Sequence, residues 1–184
     1  MTKKERKKVI IETTITEEGG SVNDRFDPGK GTVCGISSKS FPREYLQAMS
    51  IYRTEGLEAT KRFAVYFYAK NFWSYLYDEI EDSTLLQQLF DFGVNAGKQT
   101  AVFLLQKTLN KLYSTGLTLD GAFGNVTLNA VNRFSKESKK GEPESILHNE
   151  YELTIASWYR ERKMFWRFKN GWLRRLFHIF NWEG

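Results

Sequence analysis

From residue 40 onward the apolar positions recur at spacings of three and four, the period of a helix with one buried face. Residues 42–53 place Tyr45, Leu46, Met49 and Tyr52 on one stripe. Residues 57–77 form an aromatic-rich segment with Phe63, Tyr66, Phe67, Trp73 and Tyr77. Residues 83–95 carry Leu85, Leu86, Leu89 and Phe90, and residues 98–112 carry Ala101, Leu104, Leu105 and Leu109. Further helices are expected over 126–136 and 146–168, the second with Leu147, Tyr151, Ile155, Trp158, Tyr159 and Arg162 in register. Punctuation agrees with this division. Ser40 and Pro42 suit a helix start, Ser83 opens the next pattern, Gly97 ends it, and 136–145 is a polar linker containing Gly141 and Pro143. The final stretch, Trp172 to Trp182, is short, aromatic and basic. Its length favours packing on residues 98–168 over lying on a membrane.

The periodicity is absent from 17–36. This stretch holds five carboxylates or carboxamides, five glycines and one proline. Glycine permits positive φ and proline fixes φ near its turn value, so the segment can fold tightly and gather short polar side chains. It reads as a small β-turn lobe carrying acids and supported by helices. The run before it, residues 5–18, is ambiguous. Ile11 and Ile15 have helical spacing, while the β-branched content favours a strand.

Composition narrows the chemistry. One cysteine, Cys34, permits no intramolecular disulfide and no cysteine-based zinc site. Two histidines thirty positions apart, His148 and His178, make a histidine metal site or a Ser-His-Asp triad a poor reading. The formal charge of +5 favours an anionic partner: nucleic acid, an acidic membrane or a wall polymer. The basic N-terminus is followed by only Val9-Ile10-Ile11 before Glu12, too short for a signal-peptide core or a membrane span. Export would then need lysis, a holin-like pore or a dedicated route.

Within the lobe, Glu18 is the candidate acid. It sits where a regular element meets Gly19-Gly20, so it can point into a cleft where desolvation raises its pKa. Asp27 and Thr32 follow across a glycine-containing turn, and a carboxylate and a hydroxyl facing an acid can hold a nucleophilic water, as glycoside hydrolysis requires. By spacing alone a blander account competes, in which Asn23, Asp24 and Asp27 are turn residues bonding their own backbone. Glu17 is a rival for the acid role.

Glu18-Gly19-Gly20, Val22-Asn23-Asp24, Asp27-Pro28-Gly29, Thr32 and Gly35-Ile36-Ser37 together resemble the E-G-G-x-V-N-D-x-x-D-P-G-G-x-T-x-x-G-I-T signature of glycoside hydrolase family 108. These are the N-acetylmuramidases once called secretion activator proteins. Lys30 stands where the signature has a second glycine, and Cys34 where it is usually aromatic. Phe90-Asp91-Phe92-Gly93-Val94-Asn95-Ala96-Gly97 is similar to the family's F-D-x-x-V-N-x-G segment. Leu104-Leu105-Gln106-Lys107-Thr108-Leu109 is similar to the family's L-L-Q-x-x-L helix, and Asp120-Gly121-x-x-Gly124-x-x-Thr127-Leu128 and Gly171-Trp172-Leu173-x-Arg175 resemble the predicted peptidoglycan-binding domain that usually follows.

The resemblance implies a mainly α, lysozyme-like helical fold with a small β-hairpin and turn lobe near residues 19–37. It implies a catalytic domain over 1–97 and a helical peptidoglycan-binding domain over 98–184. It makes residues 9–18 a helix, Glu18 the catalytic acid, and Asp27 and Thr32 its helpers. The implied reaction is cleavage of the β-1,4 bond between N-acetylmuramic acid and N-acetylglucosamine, without metal or organic cofactor. The expected partner is the peptidoglycan glycan strand, met by a monomer with no nucleic acid and no stable membrane insertion. Asn95, Tyr68 and Trp73 are the candidate substrate contacts, although aromatics at helical spacing usually form core and Asn95 can equally cap a helix. Asp120 and Gly121 read as a structural loop. Cys34, with no histidine nearby in sequence, reads as an inert small residue. Lys30 and Cys34 keep open a non-catalytic wall-binding protein, and the basic balance alone keeps open a nucleic-acid binder.

Overall fold

The run with strand-like composition is a helix. In the computed structural model, α1 spans Lys3–Glu17 and opens on a reciprocal capping box. The Thr2 amide donates to Glu5 Oε2 at 2.7 Å, and the Glu5 amide donates to Thr2 Oγ1 at 3.2 Å. Those bonds to Thr2 hold the Glu5 carboxyl below its ordinary range. Ile10, Ile11, Thr14 and Ile15 are all buried. A strand would send Ile10 and Ile11 to opposite faces, whereas one helical face takes all four. Burial of that face outweighs the local preference of β-branched residues, which is worth only tenths of a kcal/mol per position.

The structure describes residues 1–17, 31–137, 145–162 and Leu176. They divide into two compact units, Met1–Trp73 and Ser74–Gly184. The expected boundary at 97 and 98 falls inside the second unit.

In the first unit, Thr32–Val33 (β1) and Ile36–Ser37 (β2) form an antiparallel hairpin, with Thr32 opposite Ser37 and Val33 opposite Ile36. Helix α2, Pro42–Glu55, and helix α3, Leu57–Asn71, follow. Helix α2 packs on the hairpin and on α3, and α1 packs on α3. The start of α2 differs from expectation. Its N-cap is Phe41, not Ser40, and no side chain caps it; Pro42 takes the first helical position. The Phe41 ring is the anchor there, edge-on to Phe67 at 4.9 Å and to Phe72 at 6.0 Å. Helix α3 also stops short of residue 77. It ends at Asn71, whose Nδ2 donates to the Phe67 carbonyl, and a separate 3₁₀ turn covers Tyr75–Glu79.

The second unit is built from α4 (Ser83–Ala96), α5 (Lys98–Tyr113), α6 (Asn125–Phe134) and α7 (Ile146–Arg160). Helix α4 packs on α5 and α7, α5 packs on α7, and α6 packs on α5 and the 3₁₀ turn. The expected core positions Leu85, Leu86, Leu89, Phe90, Ala101, Leu104, Leu105 and Leu109 are all buried. Asp82, rather than Ser83, caps α4 by accepting from the Thr84 and Leu85 amides, and it also accepts from Ser145 Oγ at 3.0 Å. One carboxylate thus ties the starts of α4 and α7. Gly97, at φ +90, ends α4 as expected. On α7, Leu147, Tyr151, Ile155 and Tyr159 are buried, while Trp158 lies at the edge with the Arg162 guanidinium 4.0 Å above its ring. Leu176, the described residue of the C-terminal segment, is buried. No helix among the described residues is long and apolar enough to cross a membrane. Among the described residues the architecture is mainly α with one small hairpin, as the periodicity and the resemblance imply.

Candidate functional site

The hairpin is the described part of the acid lobe. Its loop is two residues long, Cys34 and Gly35, at φ +46 and +74. Positive φ at both positions is what a type I′ hairpin turn demands. Side chains alternate along each strand. Val33 and Ile36 therefore enter the core, fully buried, and Thr32 and Ser37 lie on the opposite face, half-buried. The Thr32 hydroxyl makes no hydrogen bond among the described residues. Glu18 and Asp27, with Asn23, Asp24 and Lys30, lie outside the described residues.

Two side chains brace this hairpin. Tyr68 Oη donates to the Cys34 carbonyl at 3.3 Å. Tyr45 covers Gly31, where a Cβ would fall 2.5 Å from the tyrosine hydroxyl. Cys34 is fully buried, and burial pushes its thiol above the ordinary range against a smaller opposing pull from the Lys61 ammonium. A buried thiol held protonated is a poor nucleophile and offers no surface to a substrate. It fits the inert small residue read from the sequence.

Tyr68 and Trp73 are not placed as sugar platforms. Tyr68 is 1% exposed and Trp73 is 8% exposed. The Tyr68 ring lies edge-on to Phe67 and tilted against Phe72, and Lys7 sits over Trp73 at 5.2 Å. Both rings belong to the core of the first unit, Tyr68 from α3 and Trp73 from the segment just after it. The exposed surface lies elsewhere. Val9, Glu12, Thr13 and Thr16 of α1 line a groove of about 290 Å³. On α2, the stripe expected to be buried is largely open. Leu46 is 67% exposed, Tyr52 is exposed, and Tyr45 and Met49 are half-buried.

The second unit carries the other two motifs. Asn95 is exposed on α4, and its amide donates to the Asp91 carbonyl oxygen at 3.1 Å and contacts Asp91 Oδ2 at 3.5 Å. It does not cap α4; Gly97 does. The Asp120-Gly121 loop is organised by Gln106, which is buried on α5. Gln106 Nε2 donates to Asp120 Oδ1 at 2.8 Å and to the Ala122 carbonyl at 3.1 Å, and Gln106 Oε1 accepts from the Gly121 amide at 2.9 Å. Asp120 Oδ1 also accepts from the Ala122 amide at 2.8 Å. Gly121 sits at φ +69 with Gln99 so close that a Cβ would lie 2.5 Å from its carbonyl oxygen. Next to this loop Asn110 binds both the carbonyl and the amide of Leu117. The loop is therefore held in one shape, with Leu119 exposed on it and Val126 exposed in the first turn of α6. The sequence assigned Asp120 and Gly121 a structural role but did not single out Gln106. A polar residue inside the buried stripe of α5, ahead of an Asp-Gly turn, was the available signal.

Residues 11–97 match the model of the glycosyl hydrolase 108 family, and residues 100–177 match that of a predicted peptidoglycan domain. A solved structure, that of SagA from Brucella abortus, is similar with a TM-score of 0.61 and 25% sequence identity, over 91% of this chain and 87% of that one. No curated protein matches significantly. Residues 11–97 thus form a glycosyl hydrolase 108 region, and residues 100–177 a predicted peptidoglycan domain. That pairing gives it a role in peptidoglycan hydrolysis and binding.

Proposed function

We propose that the protein is a lysozyme-type N-acetylmuramidase that cleaves the β-1,4 bond between N-acetylmuramic acid and N-acetylglucosamine. Glu18 is the general acid that protonates the leaving glycosidic oxygen. Asp27 and Thr32 hold the attacking water or stabilise the developing positive charge. The observation that carries this reading is the ungapped run from Glu18-Gly19-Gly20 to Gly35-Ile36-Ser37, inside a region that matches a glycoside hydrolase family. The position of Thr32 supports it, with its side chain on the face of the hairpin opposite the core. Asn95 is a substrate contact in this scheme, with Asp91 orienting its amide.

The two regions divide the labour as 1–97 for catalysis and 98–184 for grip on the wall, a division supported by the matches over 11–97 and 100–177. A net charge of +5 suits an anionic wall. The protein acts on the wall as a monomer, after release by lysis, a holin or a dedicated route. Purified peptidoglycan incubated with the wild type should yield new reducing ends, and Glu18→Gln should abolish them. A wild type that binds sacculi yet releases no reducing ends would make it a wall-binding protein instead.

A further inference from the structure

The outer face of α2 is a surface that the site described above does not use. Tyr45, Leu46, Met49, Ser50, Arg53 and Thr54 line a shallow groove of about 240 Å³. These positions repeat at helical spacing, so one helix face presents all six. Leu46 is exposed and Tyr45 and Met49 are half-buried on it, so the face offers apolar surface to a ligand. The groove ends on a cation, since Arg53 is exposed and no carboxylate among the described residues pairs with it. A base in the last turn suits the helix dipole, but the dipole gives no reason for the apolar residues beside it. The surface also reaches the hairpin. Tyr45 lies directly over Gly31, the neighbour of Thr32.

An apolar strip beside an unpaired guanidinium matches one occupant in particular. Peptidoglycan combines sugar rings, whose faces are apolar, with short peptides that end in carboxylates. We propose that the α2 face is a substrate-positioning surface, on which Tyr45, Leu46 and Met49 carry the glycan and Arg53 pairs with a carboxylate of the attached stem peptide. Arginine suits this task because its planar fork meets a carboxylate through two parallel hydrogen bonds. The inference rests on peptidoglycan as the ligand, not on Glu18 as the acid. It adds a preference for strands that still carry their peptides.

The test reads binding, so it is independent of turnover. Soluble glycan fragments bearing stem peptides are titrated against the full chain in a Glu18→Gln background, which keeps them intact. The same fragments with their peptide carboxylates converted to amides form the second arm. Amidation should weaken binding by about tenfold, the loss expected of one charge-assisted pair. Arg53→Glu should weaken binding to the free-acid fragments by at least as much and reverse the response to amidation, which then relieves a repulsion between two carboxylates, while Arg53→Lys recovers part of the loss. Leu46→Ser should weaken both arms alike. Both positions, Arg53 and Leu46, are exposed, and unchanged thermal unfolding midpoints would show that the fold is kept. Affinities for both arms that stay at the parent value in Arg53→Glu would overturn the proposal, as would equal sensitivity to amidation with and without Arg53. Reducing ends released by the otherwise wild-type chain report separately on the muramidase reading.

Discussion

Gln106 and Asp120 lie fourteen residues apart, and the glutamine amide donates to the carboxylate at 2.8 Å. The same amide group accepts from the Gly121 backbone at 2.9 Å. One buried side chain on α5 therefore sets the conformation of the loop that leads into α6. Gln106→Ala removes it and leaves the Gly121 amide without its acceptor. The expected cost is about 2–4 kcal/mol, from a buried group serving several partners at about 1 kcal/mol or more each. A urea unfolding curve should show a lower midpoint with an unchanged slope.

The carboxylate end of that pair sets a pH dependence. The Gln106 amide first, and the Ala122 amide second, hold Asp120 below its ordinary value of 3.8. A depressed carboxyl pKa means that the folded protein favours the charged form. Its contribution is complete above the unfolded value and disappears as pH falls through the lower folded value. The stability difference between wild type and Asp120→Asn should be constant from pH 7 to 5 and narrow below about pH 4. Thermal melts across that range check it; a gap that widens on acidification contradicts the assignment.

Gly121 leaves no room for a side chain. At φ +69 an L-residue is strained, and a Cβ would meet the Gln99 carbonyl oxygen at 2.5 Å. Gly121→Ala should cost about 2 kcal/mol or more and weaken sacculus binding through loss of loop shape. Gly116 also has positive φ, at +68, but has open space around it. Gly116→Ala should cost about 1 kcal/mol, so the comparison isolates the steric part.

Cys34 should be chemically quiet. Its thiol is fully buried and pushed above its ordinary range. Alkylation by iodoacetamide at pH 8 should be slow in the folded protein and fast once urea unfolds it. Rapid native labelling would mean that the hairpin opens readily.

The helical framework was legible because apolar residues repeat with one period from α4 to α7, and a 3.6-residue repeat admits one packing face. Element ends were less legible. Phe41 replaces Ser40 at the start of α2 because ring packing on Phe67 and Phe72, not a hydroxyl cap, fixes that turn. Helix α1 was hidden by its threonines and isoleucines, whose local preference opposes the face they bury. Exposure was the least legible property. Tyr68 and Leu46 both sit in apolar stripes, yet one is core and the other is open, because periodicity marks a face without saying what covers it. For the site, residue identity and register placed Thr32 on the hairpin. Gln106 escaped because its role depends on a loop fourteen residues away.

The account turns on Glu18, and the release of reducing ends from purified peptidoglycan tests it most directly. The wild type should release them steadily, and Glu18→Gln, folded and still bound to sacculi, should be slower by about a hundredfold or more. Release by Glu18→Gln at the wild-type rate would contradict the central claim.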